Sequence, residues 1–408
     1  MSRRLRIAVF DYKVISTNPV GSCHLRMLRD LCAEHDFTVF SVEFNNPCPD
    51  RIRWVRVPAP ASPLALLFVL YHVLAPILYF AYRLRHKVRF DLVQIVESNL
   101  TFGDVSYSHF CHKAYLKQHW KQTRPTGIRR CLRFLDHWLH AAVEAWIYRR
   151  VKKVIAPSEG IAQELRREYH VPPDKVRIVG NPIDVSAMVP PPSFDREGLR
   201  HSLGFARTDM VVAFVALGHF ERKGLQHLLI AFGRLRGSPL KLLVVGGEPQ
   251  VVRAWQSRAS KSGLGAMVKF VGFAEDVRPY LWAADAAVLP SSYEVFPLAA
   301  IQSLAAGLPL LATSVNGVKE FLRDGVNGIL INGFCPEAVE GALVRLVALS
   351  SAQRHQFRVE AERSSRAYDA ANFLTAWRRF YADFKMEPFS GKNFSAQPLR
   401  PDTLEHFL

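Results

Sequence analysis

The sequence predicts an α/β protein built from two doubly wound domains that face each other across a cleft. Three observations predict it. Short apolar runs alternate with helical patterns along residues 1–190, and the alternation starts afresh near Met210. Repeated βα units of this kind imply a parallel sheet with helices on both faces. A Pro-rich join, Pro190-Pro-Pro-Ser-Phe194, separates the two series, and 408 residues that are 49% hydrophobic can fill two cores.

The first series opens with MSRRLRIAVFDY, whose apolar stretch is too short for a signal-peptide core and reads as the first strand, 5–10. Further strand-like runs follow at 37–42, 92–96 and 154–156, with helical patterns at 22–33 and 128–148 between them. The second series reads strand 211–217, helix 225–235, strand 240–245, helix 251–262, strand 268–271 and helix 277–284. A buried strand at 286–290 comes next. Pro297 then opens a helix ending near Gly307, because proline suits the first helical turn. Beyond Phe384 the tail is polar and without periodicity, so residues 386–408 are expected to be loosely held. Ligands of such sheets bind beyond the strand C-termini, which places the site in the cleft.

The formal net charge is +17, and residues 1–150 carry 22 Lys+Arg against 11 Asp+Glu. A surplus of that size points to a polyanionic partner. Nucleic acid is disfavoured, since no zinc-finger spacing or helix-turn-helix signal accompanies the charge. The stretch 61–82 (ASPLALLFVLYHVLAPILYFAY) is apolar apart from Ser62 and His72, and Arg83, Arg85, Lys87 and Arg89 follow it. It is long enough to span a bilayer, but a strand pattern resumes at Leu92 and a span would split one sheet. We expect a helix lying in the membrane interface on anionic headgroups; a buried core helix is the alternative. Six cysteines without a CxxC pair support neither a disulfide framework nor a zinc site, and suit a reducing, cytosolic setting.

Four places carry chemistry. In 286–313 a strand, a turn with one acid (Glu294) and a helix N-terminus together form an anion site, with the acid suited to sugar hydroxyls. In Gly218-His-Phe-Glu-Arg-Lys-Gly224, Arg222 and Lys223 follow a strand and suit a diphosphate, although a solvated basic turn has the same composition. In Val105-Ser-Tyr-Ser-His109 a histidine ends a strand, where it can reach a cleft and bond a hydroxyl; His112 stands just beyond. Gly21-Ser22 reads as a flexible turn opening a helix at a ligand-facing edge, or as an ordinary Ser-capped start.

With these residues together, the chain resembles the GT-B glycosyltransferases, specifically the retaining enzymes of glycosyltransferase family four. The matching motifs are Pro157-Ser-Glu159, Val179-Gly-Asn-Pro-Ile-Asp184, Glu221-Arg-Lys-Gly224, Val271-Gly-Phe273, Trp282-Ala-Ala-Asp285, the segment 291–309 and Gly325-Val-Asn-Gly328. They stand in the family's order. The resemblance implies an acceptor-side domain at 1–190, a nucleotide-sugar domain at 191–369 and a helix at 370–385 that crosses back onto the first domain. It implies that Arg222 and Lys223 hold the donor diphosphate and that Glu294 meets the transferred sugar. Backbone N–H groups around Phe296, Leu298 and Ala299 would cradle the distal phosphate. Gly272, with Val271, would lie against the base, Gly21 would face the donor, and His109 would stand near the reaction centre.

Three departures stand out. The family's second acid, eight residues after Glu294, is Gln302 here; Gly21-Ser22 replaces a glycine pair; and His219 replaces the usual Arg. Gln302 can still accept from one ribose hydroxyl and donate to another, without a carboxylate's charge-assisted strength. The implied function is transfer of a hexose from a nucleotide-sugar to a glycolipid or saccharide acceptor of the cell-envelope type, with retention. No cofactor and no metal are expected, since no DxD-type carboxylate pair stands out and the nucleotide-sugar is a substrate. The expected location is the inner face of the cytoplasmic membrane. The alternatives are a non-catalytic nucleotide-sugar-binding protein and a GT-B epimerase or phosphorylase.

Overall fold

A computed structural model of the chain describes residues 4–60, 62–123 and 127–386. In chain order its strands are β1 (Arg6–Phe10), β2 (Lys13–Val14), β3 (Asp36–Ser41), β4 (Glu43–Phe44), β5 (Arg53–Arg56), β6 (Leu92–Val96), β7 (Val105–Tyr107), β8 (Lys153–Ala156) and β9 (Val176–Ile178). The second half adds β10 (Met210–Val215), β11 (Leu240–Val245), β12 (Val268–Gly272), β13 (Ala286–Leu289), β14 (Leu310–Thr313) and β15 (Gly328–Ile331). Two large parallel sheets result, ordered β5-β3-β1-β6-β7-β8-β9 and β12-β11-β10-β13-β14-β15, and β2 pairs with β4 in a third, two-stranded one. Each large sheet's order reverses beside its first strand, at β1/β6 and at β10/β13. Loops diverge at such switch points and leave room for a ligand.

Strands buried on both faces are near-continuous apolar runs, as in MVVAFV of β10 and LVQIV of β6. Strands β5 (RWVR) and β9 (VRI) are exceptions: they form the two edges of the first sheet, are largely exposed and carry no apolar run. That is why hydrophobic pattern alone passes over them. Helix Leu298–Ala305 follows β13 as expected, and helix Pro19–Leu31 begins earlier than the 22–33 pattern. Asn18, not Ser22, caps it, so Gly21-Ser22 lies inside the first helical turn rather than in a turn before it.

The C-terminal helix Ala370–Met386 returns to the first domain. Phe373, Trp377, Phe380 and Tyr381 are buried there with Ile7, Met27 and Val39. Beside it, Ile183 and Ala370 bond through their backbones, so the two strands of chain that join the domains run together. Residues 387–408 of the expected tail lie outside the described residues.

Helix Leu64–His86 has two apolar faces. Leu67, Phe68, Tyr71, Ala75 and Tyr79 are buried in the first domain's core, while Leu66, Val69, Val73, Ile77, Phe80 and Leu84 are exposed. The helix is therefore neither a fully buried core element nor detached from the sheet. By length and composition it could also cross a membrane. Helix Ile128–Arg150 packs beside it and exposes Leu132, Leu135 and Trp138.

Candidate functional site

The second sheet's switch point sets two loops against each other. After β10 the chain passes His219, Arg222 and Lys223 and reaches Gly224, where helix Leu225–Arg234 begins. Gly224 has φ +79°, and a Cβ there would stand 2.1 Å from Pro290 O. Only glycine allows this loop to press on the end of β13. Ser292 reinforces the contact, donating to Arg222 O from both its backbone N–H (2.9 Å) and its hydroxyl (3.1 Å).

Glu294 turns back from the second loop onto the cations of the first. Lys223 Nζ lies 2.7 Å from Glu294 Oε1, Ser291 Oγ donates to the same oxygen at 2.8 Å, and Arg222 stands 3.9 Å from Oε2. Arg222 also donates to Tyr293 O. Burial pushes the Glu294 carboxyl up. The charges of Lys223 and Arg222, with the bonds from Lys223 and Ser291, outweigh that and hold it below the usual carboxylate range. Burial, with Arg222 and other nearby cations, drives His219 down to about 4, so it is neutral beside them at neutral pH.

Helix Leu298–Ala305 starts just beyond Glu294, behind Pro297, and no side chain caps its N-terminus. Helices Pro19–Leu31 and Glu159–Tyr169, by contrast, are capped by Asn18 and Ser158. The N–H groups of Leu298 and Ala299 have no acceptor inside the helix, and the helix dipole adds positive potential at that end. Phe296 points inward against Phe321 and Tyr368, and Gly317 packs close against its Cα. Two cations, one fixed carboxylate and an uncapped helix end together offer donors suited to an anion such as a diphosphate, with one acceptor beside them.

The two halves of the chain match two family descriptions in succession: Glycosyltransferase Family 4 over residues 21–187 and Glycosyl transferases group 1 over residues 210–348. The chain belongs to the family 4 glycosyltransferases. An uncharacterised glycosyltransferase of Methanocaldococcus jannaschii is 24% identical over 64% of this chain and 67% of its own. The lipopolysaccharide core biosynthesis glycosyltransferase LpsE of Rhizobium meliloti is 35% identical over 34% of this chain and 40% of its own. The chain thus matches between 40% and 67% of these two relatives' lengths. Among solved structures, WaaG, a glycosyltransferase involved in lipopolysaccharide biosynthesis, superposes with TM-score 0.74 at 20% identity, covering 93% of this chain and all of its own. HepE of Anabaena in complex with UDP superposes with TM-score 0.71 at 17% identity, covering 93% of this chain and all of its own. At those identities the structures establish the GT-B fold.

The other residues singled out in the sequence sit as follows on this family 4 fold. Gly272 ends β12 with φ +84° and open space at its Cα, at a register shift where it pairs with Val245. Gln302 is half-buried on helix Leu298–Ala305, one turn beyond Leu298. His109 lies two residues past β7 and is buried; its Nε2 has no hydrogen-bond partner. Burial, helped by neighbouring His24, pushes its pKa down to about 3, so the imidazole is neutral. Gly21 donates its N–H to Asn18 Oδ1 at 2.9 Å, and a Cβ there would meet Lys13 O at 2.3 Å. That N–H is engaged in capping, and the close backbone approach by itself requires glycine here.

Sequence reasoning missed the residues that hold the two domains together at the site. Tyr293 OH donates to Glu164 Oε2 (3.1 Å), Asn316 Nδ2 to Glu164 Oε1 (2.6 Å), and Ser158 Oγ to Val295 O (2.9 Å). The first-domain helix Glu159–Tyr169 thus docks on the loop that carries Glu294. Its signal lies in the family match Pro157-Ser-Glu159, where Ser158 caps the helix. Other matched motifs also prove structural. Asp285 pairs with Arg196 and Arg200, and Asn327 bonds Arg323 N and Phe321 O.

Proposed function

We propose that this chain transfers a hexose from a nucleotide-sugar to a glycolipid or saccharide acceptor of the cell envelope, with retention and with no metal on the donor diphosphate. One observation carries the proposal: Arg222 and Lys223 are locked by Glu294 and Pro290 next to the uncapped N-terminus of helix Leu298–Ala305. In the transfer, the bond from anomeric carbon to phosphate oxygen breaks as positive charge builds on the sugar. Donors fixed beforehand on the leaving phosphates stabilise that state without reorganising. Arg222 offers a planar fork and Lys223 a compact charge, and Leu298 and Ala299 add backbone N–H groups. Glu294 is ionised and shaped to receive sugar hydroxyls. Neutral His109, whose buried Nε2 has no hydrogen-bond partner, is assigned to a hydroxyl of the sugar or acceptor, which a shift of the surrounding side chains must first admit.

In this reading Gln302 meets the ribose and Gly272 lies against the base. The name of LpsE supports an envelope acceptor. The exposed apolar stripe of helix Leu64–His86, continued by Arg83, Arg85 and Lys87, supports a seat on the cytoplasmic face of an anionic membrane. The test is a screen of radiolabelled nucleotide-sugars with membrane lipid extract as acceptor. Label transferred to lipid by the parent and lost in Glu294→Gln supports the proposal. Tight nucleotide binding without turnover on any donor would instead identify a non-catalytic binding protein.

A further inference from the structure

Three ligating side chains from separate segments meet on the wall of the first domain. Glu97 follows β6 with φ +48°, an uncommon backbone for a non-glycine residue that its surroundings must hold. Here its N–H donates to Tyr107 O, and its carbonyl accepts from Ser106 Oγ at 2.8 Å. Its carboxylate stands 3.6 Å from Nε2 of His112, which begins helix His112–Gln118. His140 arrives from helix Ile128–Arg150. The ligating atoms of Glu97, His112 and His140 all lie within 4.8 Å of one another. A tetrahedral ion with bonds near 2.0–2.1 Å sets its ligand atoms about 3.3 Å apart, closer than the present set. The two imidazoles lie face to face, 4.4 Å apart at 11°, so their in-plane lone pairs run side by side and one ring must turn to share an ion with the other.

The outer contacts leave the inner atoms free. His112 Nδ1 is engaged by His137 Nδ1 and His140 Nδ1 by Ser98 Oγ, each at 3.0 Å. Metal-binding histidines characteristically have the second nitrogen held in this way. Glu144 accepts the His112 backbone N–H at 3.1 Å and the Tyr169 hydroxyl, which fixes the start of the short helix. A second carboxylate, outside that 4.8 Å set, stands beside His140. Asp136, 5% exposed and one turn before His140, has an Oδ1 with no hydrogen-bond partner; His140 Nε2 is 3.9 Å away. A buried carboxylate oxygen without a donor calls for a partner, and a cation supplies one.

The geometry points to a binding site for one divalent transition-metal ion of zinc type, held by Glu97, His112 and His140 with Asp136 as fourth ligand. Two imidazoles favour zinc, copper, nickel or iron over magnesium and calcium, which take oxygen ligands. The ion ties the loop after β6 to the two helices. The rings of Phe110 and Tyr115, which contact both His137 and Tyr293, lie between this cluster and the loop of Glu294. The ion is therefore separate from the grip on the donor phosphates.

The test uses the full chain, stripped with chelator and titrated by calorimetry with Zn²⁺ and with Co²⁺, whose visible absorption reports its ligands; Mg²⁺ is the control. One Zn²⁺ per chain is expected, with a nitrogen- and oxygen-type Co²⁺ spectrum. Affinity should fall at least tenfold in Glu97→Gln and in His140→Gln, and persist in Cys32→Ser, because Cys32 and Cys48 form a competing thiol pair at 3.3 Å. Absence of tight Zn²⁺ or Co²⁺ binding by the parent overturns the proposal whether or not the variants fold. So does binding that His140→Gln leaves unchanged, or that Cys32→Ser abolishes.

Discussion

Lys223 and Glu294 neutralise one another, which sets what each can be expected to do. Replacing Lys223 by Met leaves a buried carboxylate with Ser291 and a more distant Arg222. A loss of roughly 1–3 kcal/mol in stability is expected from removing one partner, measured by urea unfolding. The pH dependence has a definite sign. The folded carboxyl is held below its ordinary value, so its contribution is complete above the ordinary carboxylate pKa and is lost as pH falls through the folded one. Glu294→Gln should flatten that acid limb of the stability profile and lower turnover more than nucleotide affinity. Gln302→Glu tests one of the three positions where this chain departs from its family. A charged hydrogen bond in place of a neutral one should tighten nucleoside diphosphate binding by about 1 kcal/mol. Weaker binding would mean that the side chain meets something other than ribose. Glu294, Arg222 and Lys223 were legible in the sequence because strand, loop charge and helix start lie within a few residues of each other. Ser291 and Glu164 were not, since a serine or a helical glutamate says nothing of its partner until the chains converge.

At the level of elements, the exposed stripe of helix Leu64–His86 makes the sharpest claim. Its sequence is apolar on all sides, so composition alone could not separate interface from core; packing buries one face in the core and leaves the other exposed. If the outer face seats on lipid, the chain should float with anionic vesicles and be partly released by salt, which screens its basic flank. Replacing Arg83, Arg85, Lys87 and Arg89 with Gln should reduce both binding and its salt dependence. Flotation unchanged in both respects contradicts the assignment. Elements at sheet edges were the least legible, as β5 shows: an edge strand needs no apolar run when one face stays in water.

Across the whole molecule, the two-domain fold was legible because each half repeats the same βα rhythm and the join between them breaks it. The contacts that close the cleft were not, because they pair residues far apart in sequence. The return of helix Ala370–Met386 makes the first domain depend on the end of the chain. Trp377→Ala, which empties a fully buried site, should cost about 3–5 kcal/mol of stability. Ser158→Ala should cost about 1 kcal/mol through its helix cap and also loosen the contact with Val295. The central claim, that the loop after β10 and the loop after β13 together grip a diphosphate, is tested most directly by calorimetry of nucleoside diphosphates in the presence of chelator. The parent is compared with a folded Arg222→Ala/Lys223→Ala variant. Two charge-assisted contacts are worth roughly 1.5–3 kcal/mol each, less what Lys223 gives up from Glu294, so binding should weaken at least tenfold. An affinity unchanged in the double variant would contradict the account.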